Sequence, residues 1–196
     1  MDLLSILLFS ISVSSDNFIV GLSYGTKKIK INFISNTLVA FISCLGTFVS
    51  MLLGKYFNNF ISPHIADILG SLMLMLFGIY MLIGAYKSSH GASDIIETVY
   101  DHPEIIDTNN SNIIELKEAI ILGFILCINN IGLGIGASFA GLNIFLTSAA
   151  SFIFSMIFIK LGDYIGKSFI SNKLSHISQY VSSLIIILLG LYELIF

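Results

Sequence analysis

Residues 12–25, which read SVSSDNFIVGLSYG, place a carboxylate, an amide and several hydroxyls inside a segment that is otherwise apolar from Leu3 to Tyr24. About 20 apolar residues, rising about 1.5 Å each, span the hydrocarbon of a bilayer. The segment is long enough to do so, which places Asp16 near the middle of the membrane. A carboxylate at that depth costs about 3 kcal/mol or more unless it faces a cavity, a partner or an ion. We therefore favour an ion or proton site at Asp16 over the alternative, a protonated or hydrogen-bonded aspartate that serves packing.

The composition of the chain excludes an ordinary soluble domain. Hydrophobic residues make up 56% of the 196 residues and charged residues 11%, whereas a soluble domain carries about 25% charged residues. The fold class is therefore all-α, in a polytopic membrane protein. With a net charge of −3 and no basic patch beyond short loops, nucleic acid is not an expected partner. The apolar spans carry no constellation of catalytic side chains at a common depth, so we do not expect an enzyme.

Six apolar stretches predict six transmembrane helices, at 3–24, 33–54, 65–86, 118–140, 143–165 and 178–196. The acidic segment 87–117 divides the chain into 1–86, 87–117 and 118–196. Lysines are concentrated in the odd-numbered loops, at Lys27, Lys28, Lys30, Lys87, Lys117, Lys167 and Lys173, whereas the opposite side holds Lys55. The positive-inside rule predicts that loops 25–32, 87–117 and 167–177 are cytoplasmic and that both termini lie outside the cell membrane.

The two halves of the chain also resemble each other in sequence. A shift of 112 positions places Gly78 on Gly190, and a shift of 113 places Asp16-Asn17 on Asn129-Asn130. Because each half has three spans, the second must enter the membrane from the opposite side, which predicts two inverted three-helix repeats. Inverted repeats are a recurrent architecture of secondary transporters, whose substrate site lies near the midplane where the halves meet.

The candidate ligands of this site are all oxygen donors. Asp16 supplies the charge, and amides or hydroxyls are supplied by Asn17, Asn129, Asn130, Ser12 and Ser15. The side chains at positions 12, 15 and 16 share one helix face, since they are spaced i, i+3 and i+4. Such a set suits hard cations such as Mn²⁺, Mg²⁺ or Ca²⁺ rather than zinc or copper. We expect no bound cofactor, with the metal ion as substrate.

Glycines follow both motifs, at Gly21, Gly25, Gly132, Gly134 and Gly136. They favour close helix packing through small faces. They also let a helix loosen, so that backbone carbonyls can coordinate a cation where the helix lines a cavity. The two interpretations are compatible.

The remaining ionisable side chains have local explanations. Asp163 and Lys160 are three residues apart, which predicts an ion pair at the membrane interface. Glu118 favours the positive end of the fourth span, with a role in gating as the alternative. Within the long loop, residues 90–101 predict a short amphipathic helix on the membrane surface, with metal gathering as the alternative.

These residues resemble a known family. The motif at 16–18 with its glycines, the second motif at 129–137 and the six-span layout resemble the manganese efflux pump (MntP) family. Residues 61–65, 101–103 and 117–119 are similar to its sporulation membrane protein branch (YtaF). The resemblance implies six helices and export of divalent manganese or a similar ion, with both motifs lining the path. The efflux pumps of this family carry an intramembrane aspartate in each repeat, and here Asn129 stands in place of the second.

The energetics of export narrow the mechanism. With a cytoplasm that is negative inside, expelling a dication works against about 4.6 kcal/mol per 100 mV, from about 2.3 kcal/mol per charge. The sequence has no nucleotide-binding Gly-x-x-x-x-Gly-Lys-Ser/Thr motif. The hypothesis is therefore proton-coupled alternating access, with Asp16 alternately protonated and ion-bound. The alternative is a non-transporting membrane protein with an assembly or scaffold role in sporulation. The oligomeric state stays open.

Overall fold

The computed structural model describes residues 3–58, 60, 63–88, 105–109, 111–167 and 171–195. The described part is almost entirely helical, with two short strands. Its elements in chain order are α1 (Leu3–Val13), α2 (Ser15–Thr26), β1 (Lys30–Ile31), α3 (Phe33–Asn58), α4 (Pro63–Ser88), β2 (Ile113–Ile114), α5 (Leu116–Phe139), α6 (Ile144–Gly166) and α7 (Ser171–Ile195). The prediction of an all-α protein is confirmed.

Four of the helical segments are long and apolar enough to cross a membrane: Leu3–Thr26, Phe33–Asn58, Ile68–Lys87 and Ile144–Gly166. A fifth results if the two halves of α5, Leu116–Ile128 and Asn130–Phe139, are taken as one span. The sixth predicted span falls in α7, whose apolar part within the described residues, Ile177–Tyr192, is shorter than the others. The structure thus bears out several membrane-spanning helices, and the count of six stays a prediction.

Two of these segments are interrupted near their middles. The first breaks between α1 and α2 at Ser14, and α5 bends by 45° between Ile128 and Asn130. At the first break Ser15 Oγ donates to Ile11 O at 3.1 Å, a hydrogen bond to the carbonyl four residues earlier. Serine hydroxyls that bond to such carbonyls compete with the helical ladder and often bend helices. The serine-rich sequence therefore explains why the first segment breaks there.

The helices pack in pairs around a shared centre. α3 packs on α5, α1 and α2 pack on α6, and α4 packs on α7, while α3 also crosses α6. Two separate clusters of buried apolar side chains result. The first cluster holds Ile19, Val20, Tyr24, Ile29, Val39, Ile106, Ile114, Ala119, Leu122, Leu126 and Ile159. The second cluster holds Ile6, Phe9, Val13, Met51, Leu74, Leu133, Ala137, Ala140, Leu142, Ile144, Ile186 and Leu189.

The outer surface of the bundle is apolar. Large hydrophobic side chains such as Phe41, Val49, Leu76 and Phe124 are each more than half exposed. Many serine, threonine and asparagine side chains are buried instead. In water an apolar surface of this extent would drive aggregation or association. The distribution fits a bundle whose outside faces lipid.

The described end of the long loop folds against the start of α5. Strands β1 and β2 pair in parallel, with Lys30 opposite Ile113. Glu118 is buried and accepts three hydrogen bonds, from the Thr108 N–H at 2.9 Å, from Thr108 Oγ1 at 3.1 Å and from the Glu115 N–H at 3.0 Å. The last of these belongs to a capping box at the N-terminus of α5, which agrees with the local explanation for Glu118. The predicted surface helix at 90–101 lies outside the described residues.

The predicted pairing of Asp163 with Lys160 is wrong. Asp163 forms its ion pair with Lys167, at 2.6 Å between Oδ2 and Nζ. Lys160 Nζ lies instead 4.7 Å from the ring centre of Phe33 in a cation–π contact. A spacing of four residues allows a helical ion pair just as a spacing of three does, so the sequence alone did not decide between the two lysines.

Candidate metal-ion site

A layer of buried polar side chains separates the two apolar clusters. α1 and α2 pass from Val13 in the second cluster to Ile19 in the first, and α3, α5 and α6 also connect the two clusters. Between the clusters these helices carry the residues that we name the central polar layer: Ser14, Ser15, Asp16, Asn17, Ser43, Thr47, Asn130, Ser151 and Ser155. Every member is buried.

Among the described residues, Asp16 supplies the carboxylate of the central polar layer. Its exposed fraction is 7%, and it lies in the first turn of α2, immediately after the break at Ser14. A helix N-terminus carries a partial positive charge that favours an anion. The interruption at Ser14 therefore places Asp16 at the end of α2 where an acidic side chain is favoured.

Most of the other predicted ligands lie in or next to this layer. Asn17 is 1% exposed, and its Oδ1 has no hydrogen-bond partner among the described residues. Ser12 Oγ is likewise buried without a partner in the described part of the chain. Ser15 uses its proton on Ile11 O and keeps lone pairs for a cation. The side chain of Asn129 lies outside the described residues.

Asn130 is already engaged with a neighbouring helix. Its Nδ2 donates to Ser43 Oγ at 2.9 Å, and both side chains are buried. Four predicted ligands are buried and therefore do not face lipid: Ser12, Ser15, Asn17 and Asn130. Asp16, Asn17 and Asn130 are each buried, and the convergence of the two motifs on one site stays a prediction.

The sequence analysis missed the contributions of α3 and α6. On α6 the hydroxyl oxygens of Thr147, Ser148, Ser151 and Ser155 are all buried and have no partner within the described residues. On α3, Asn36 Oδ1 is also buried and has no hydrogen-bond partner within the described residues. The repeat shift of 112 would have found most of these residues, since it places Ser35 on Thr147, Asn36 on Ser148 and Ser43 on Ser155; Ser151 falls on Val39 and has no such signal.

The predicted glycines lie at close contacts between helices. A Cβ at Gly21 would collide with Ile159 O, and one at Gly25 with Asp163 O. In the second motif a Cβ would meet the Phe77 ring at Gly132, Ser50 Oγ at Gly134 and the side chains of Met73 and Leu74 at Gly136. The close-packing interpretation is confirmed by these contacts, and coordination through loosened backbone stays a prediction.

The donor set limits the kind of ion that fits. Within the described residues no group of three or more His, Cys, Asp or Glu side chains could hold a metal. The central polar layer offers one carboxylate and otherwise neutral amide and hydroxyl oxygens. Oxygen donors suit hard cations, and a site without thiolate or imidazole is a poor one for zinc or copper.

Comparison with known proteins agrees with this membrane architecture. Residues 1–82 match the family model described as "Mntp: Putative manganese efflux pump". The chain is 30% identical over 210 residues to "Probable sporulation protein YtaF" of Bacillus subtilis (strain 168), covering 99% of this chain and 100% of that protein. It is 25% identical over 201 residues to "Putative manganese efflux pump MntP" of Desulfitobacterium hafniense (strain Y51), covering 97% and 93% of the two chains. No solved structure matches. The chain is therefore a multi-pass membrane protein of the MntP family, in the branch that includes YtaF.

Proposed function

We propose that this protein exports a divalent metal cation, manganese or an ion of similar chemistry, through the central polar layer. The observation that carries the proposal is the position of Asp16, a buried carboxylate among neutral oxygen donors between two apolar clusters. A buried carboxylate in a membrane is a functional residue by default, because of its cost. Membership of the MntP family supports manganese as the substrate.

The packing of α4 against α7 supports inverted repeats. A Cβ at Gly78 would meet Ile187 and Ser183 O, and a Cβ at Gly190 would meet Met75 and Ser71 O. The shift of 112 exchanges Gly78 with Gly190, and it exchanges the two sets of contacted residues as well. Contacts of this reciprocal kind are what a two-fold axis produces.

The two apolar clusters support the same relationship. A shift of 113 pairs members of opposite clusters: Ile6 with Ala119, Phe9 with Leu122, Val13 with Leu126, Val20 with Leu133 and Tyr24 with Ala137. An in-plane axis through the central polar layer would exchange the clusters in this way. We therefore propose six spans in two inverted repeats, 1–86 and 118–196, joined by 87–117, with α7 supplying the sixth span.

In this arrangement the clusters act as the two barriers of alternating access. By the distribution of lysines, loops 25–32, 87–117 and 167–177 are cytoplasmic and both termini lie outside. The first cluster, which includes Ile29, Ile106 and Ile114 of the odd loops, then closes the cytoplasmic side, and the second cluster closes the outer side. Opening one cluster at a time exposes the central polar layer to one side of the membrane, as expected for inverted-repeat transporters.

Export of a dication needs an energy source, and protons are the coupling ion that we propose. Asp16 releases its proton to bind the metal ion and takes up a proton from outside after the metal ion has left. Each cycle then exchanges one metal ion for the one proton that Asp16 carries, so one net positive charge leaves the cell per cycle. The exchange halves the electrical cost of export, from about 4.6 to about 2.3 kcal/mol per 100 mV, and the proton that enters supplies free energy from its own gradient.

Proton flux in everted membrane vesicles tests this function. Addition of Mn²⁺ should release protons from vesicles that contain the protein, and Asp16→Asn should abolish the response because it removes the titrating group. Asp163→Asn is the matched control, since Asp163 is a carboxylate outside the central polar layer that pairs with Lys167. An unchanged Mn²⁺-driven proton flux in Asp16→Asn would refute the proposal.

A second candidate function has one observation in its favour. YtaF, which this chain matches over its full length, carries the name of a sporulation protein. A non-transporting assembly or scaffold role would need the fold and not the carboxylate. In a deletion strain, rescue of both sporulation and metal tolerance by Asp16→Ala would favour this role over transport.

A further inference from the structure

The register between α6 and the broken first span is fixed by three contacts. Ser10 Oγ donates to Thr147 O at 3.3 Å, and Ser14 Oγ donates to Ser151 O at 3.2 Å. Two turns beyond Ser14, Gly21 lies directly against the carbonyl of Ile159. The two helical segments therefore run side by side in the same direction, and each residue of one has a definite level on the other.

This register places Asn17 opposite Ser155. Asn17 lies between the contact points Ser14 and Gly21, and Ser155 lies between the contact points Ser151 and Ile159. Spacings of three or four residues keep both side chains on the faces that meet. Asn17 Oδ1 and Ser155 Oγ are both buried, and within the described structure neither oxygen has a hydrogen-bond partner.

The equivalent pair in the other repeat is closed. The repeat shifts exchange Asn17 with Asn130 and Ser155 with Ser43. Asn130 Nδ2 donates to Ser43 Oγ at 2.9 Å, so those two side chains satisfy each other. The open pair lies beside Asp16, whereas the closed pair follows Asn129, which carries no charge. Buried polar groups are costly unless they are satisfied, and a cation beside a carboxylate is a partner that satisfies oxygen atoms.

We propose that the hydroxyls of Ser151 and Ser155 on α6 complete the cation site formed by Asp16 and Asn17. This inference rests on the proposed function and assigns its site to one side of the pseudo-two-fold axis. Ser151 is included because its Oγ is also buried without a partner among the described residues, one turn from Ser155 and next to the break at Ser14. In this assignment the Asn130–Ser43 pair holds the bend of α5 and does not bind the ion.

Titration of the purified protein with Mn²⁺ tests the assignment. Ser155→Ala and Ser151→Ala should each weaken binding about tenfold, the lower end of what altered metal sites lose. Ser155→Thr keeps the hydroxyl and should retain the affinity. Ser43→Ala is the matched control, because it removes a hydroxyl at the equivalent position: it should lower the unfolding temperature and leave the Mn²⁺ affinity unchanged.

A change of ligand chemistry gives a readout that a structural role would not produce. Ser155→Cys should lose Mn²⁺ affinity and gain Cd²⁺ affinity, since a thiolate prefers soft ions, with an ultraviolet thiolate–cadmium absorption band. Ser43→Cys should gain neither Cd²⁺ affinity nor the absorption band. It also shows how much Cd²⁺ the native Cys44 and Cys127 bind. This pair of variants is nearly isosteric with serine and so tests the site even if an alanine variant fails to fold.

The possible failures are distinguishable. If the unaltered protein binds no Mn²⁺, the proposed function fails and this assignment fails with it. If Mn²⁺ binds and Asp16→Asn weakens it, but Ser151→Ala and Ser155→Ala do not, the function stands and the assignment to α6 is overturned. Equal losses in Ser155→Ala and Ser43→Ala would overturn the one-sided site.

Discussion

Asn130 donates a buried hydrogen bond of 2.9 Å to Ser43, and this bond joins the bend of α5 to the middle of α3. A polar side chain at the bend thereby links the second half of α5 to a neighbouring helix. The same residue type stands at Asn17, three residues after the interruption of the first span at Ser14. Asn130 thus satisfies its side chain on a neighbouring helix, whereas Asn17 Oδ1 is buried without a partner among the described residues.

Replacing Gly21 with alanine should destabilise the protein. The new Cβ would collide with the carbonyl of Ile159, so α2 and α6 would have to separate, and overpacking of this kind costs about 1–3 kcal/mol. We expect a lower unfolding temperature in detergent. Gly84→Ala is the control, because nothing lies within 4 Å of a Cβ there and alanine favours a helix over glycine by up to about 1 kcal/mol. Equal effects of the two substitutions would contradict the close approach.

Alanine at Gly78 and alanine at Gly190 should have similar effects. Each new Cβ would meet the equivalent residues of the opposite repeat, Ile187 and Ser183 in one case and Met75 and Ser71 in the other. The expected loss is about 1–3 kcal/mol for each, measured by thermal unfolding. A large loss at one position with none at the other would argue against the inverted repeats.

Introducing a second carboxylate by Asn129→Asp should raise the affinity for a divalent cation. Position 129 is equivalent to Asp16 in the repeat, and a second negative charge compensates a dication more fully. We expect at least tenfold tighter Mn²⁺ binding, which is about 1.4 kcal/mol, in a titration of the purified protein. Asn109→Asp makes the same change at an exposed position and should not reproduce the gain. Unchanged binding in Asn129→Asp would place position 129 away from the ion.

Removing the Glu118 side chain should release the segment 105–114 from the start of α5. Glu118→Ala removes the acceptor of the Thr108 and Glu115 N–H groups, and each such hydrogen bond contributes about 0.5–1.5 kcal/mol to stability. Hydrogen exchange at residues 105–114 should therefore rise. Asn109→Ala removes an exposed side chain that donates to Glu115, and it should change stability by no more than about 0.5 kcal/mol. Unchanged exchange in Glu118→Ala would show that the segment is held by the strand pairing alone.

Much of the candidate site could be predicted because its signal is local. Asp16 and Asn17 are conspicuous in an apolar segment, and burial of that segment follows from hydropathy, which acts residue by residue. The hydroxyls of Ser151 and Ser155 were missed because single serines are common in membrane helices and carry no charge. The predicted Asp163–Lys160 ion pair was wrong because helical spacing allows Asp163 to pair with either Lys160 or Lys167.

The sequence by itself determined that the chain is a helical membrane protein, and it predicted that its halves repeat and that Asp16 lies inside the bilayer, since these inferences depend on composition and periodicity. Only the tertiary structure decided which faces meet. The rotation of α2 against α6 is set by contacts such as Gly21 with Ile159, between residues far apart in the chain. That rotation brings Asn17 opposite Ser155, while the other repeat closes the equivalent pair. Helix rotation depends on packing between whole elements, and no local pattern contains it.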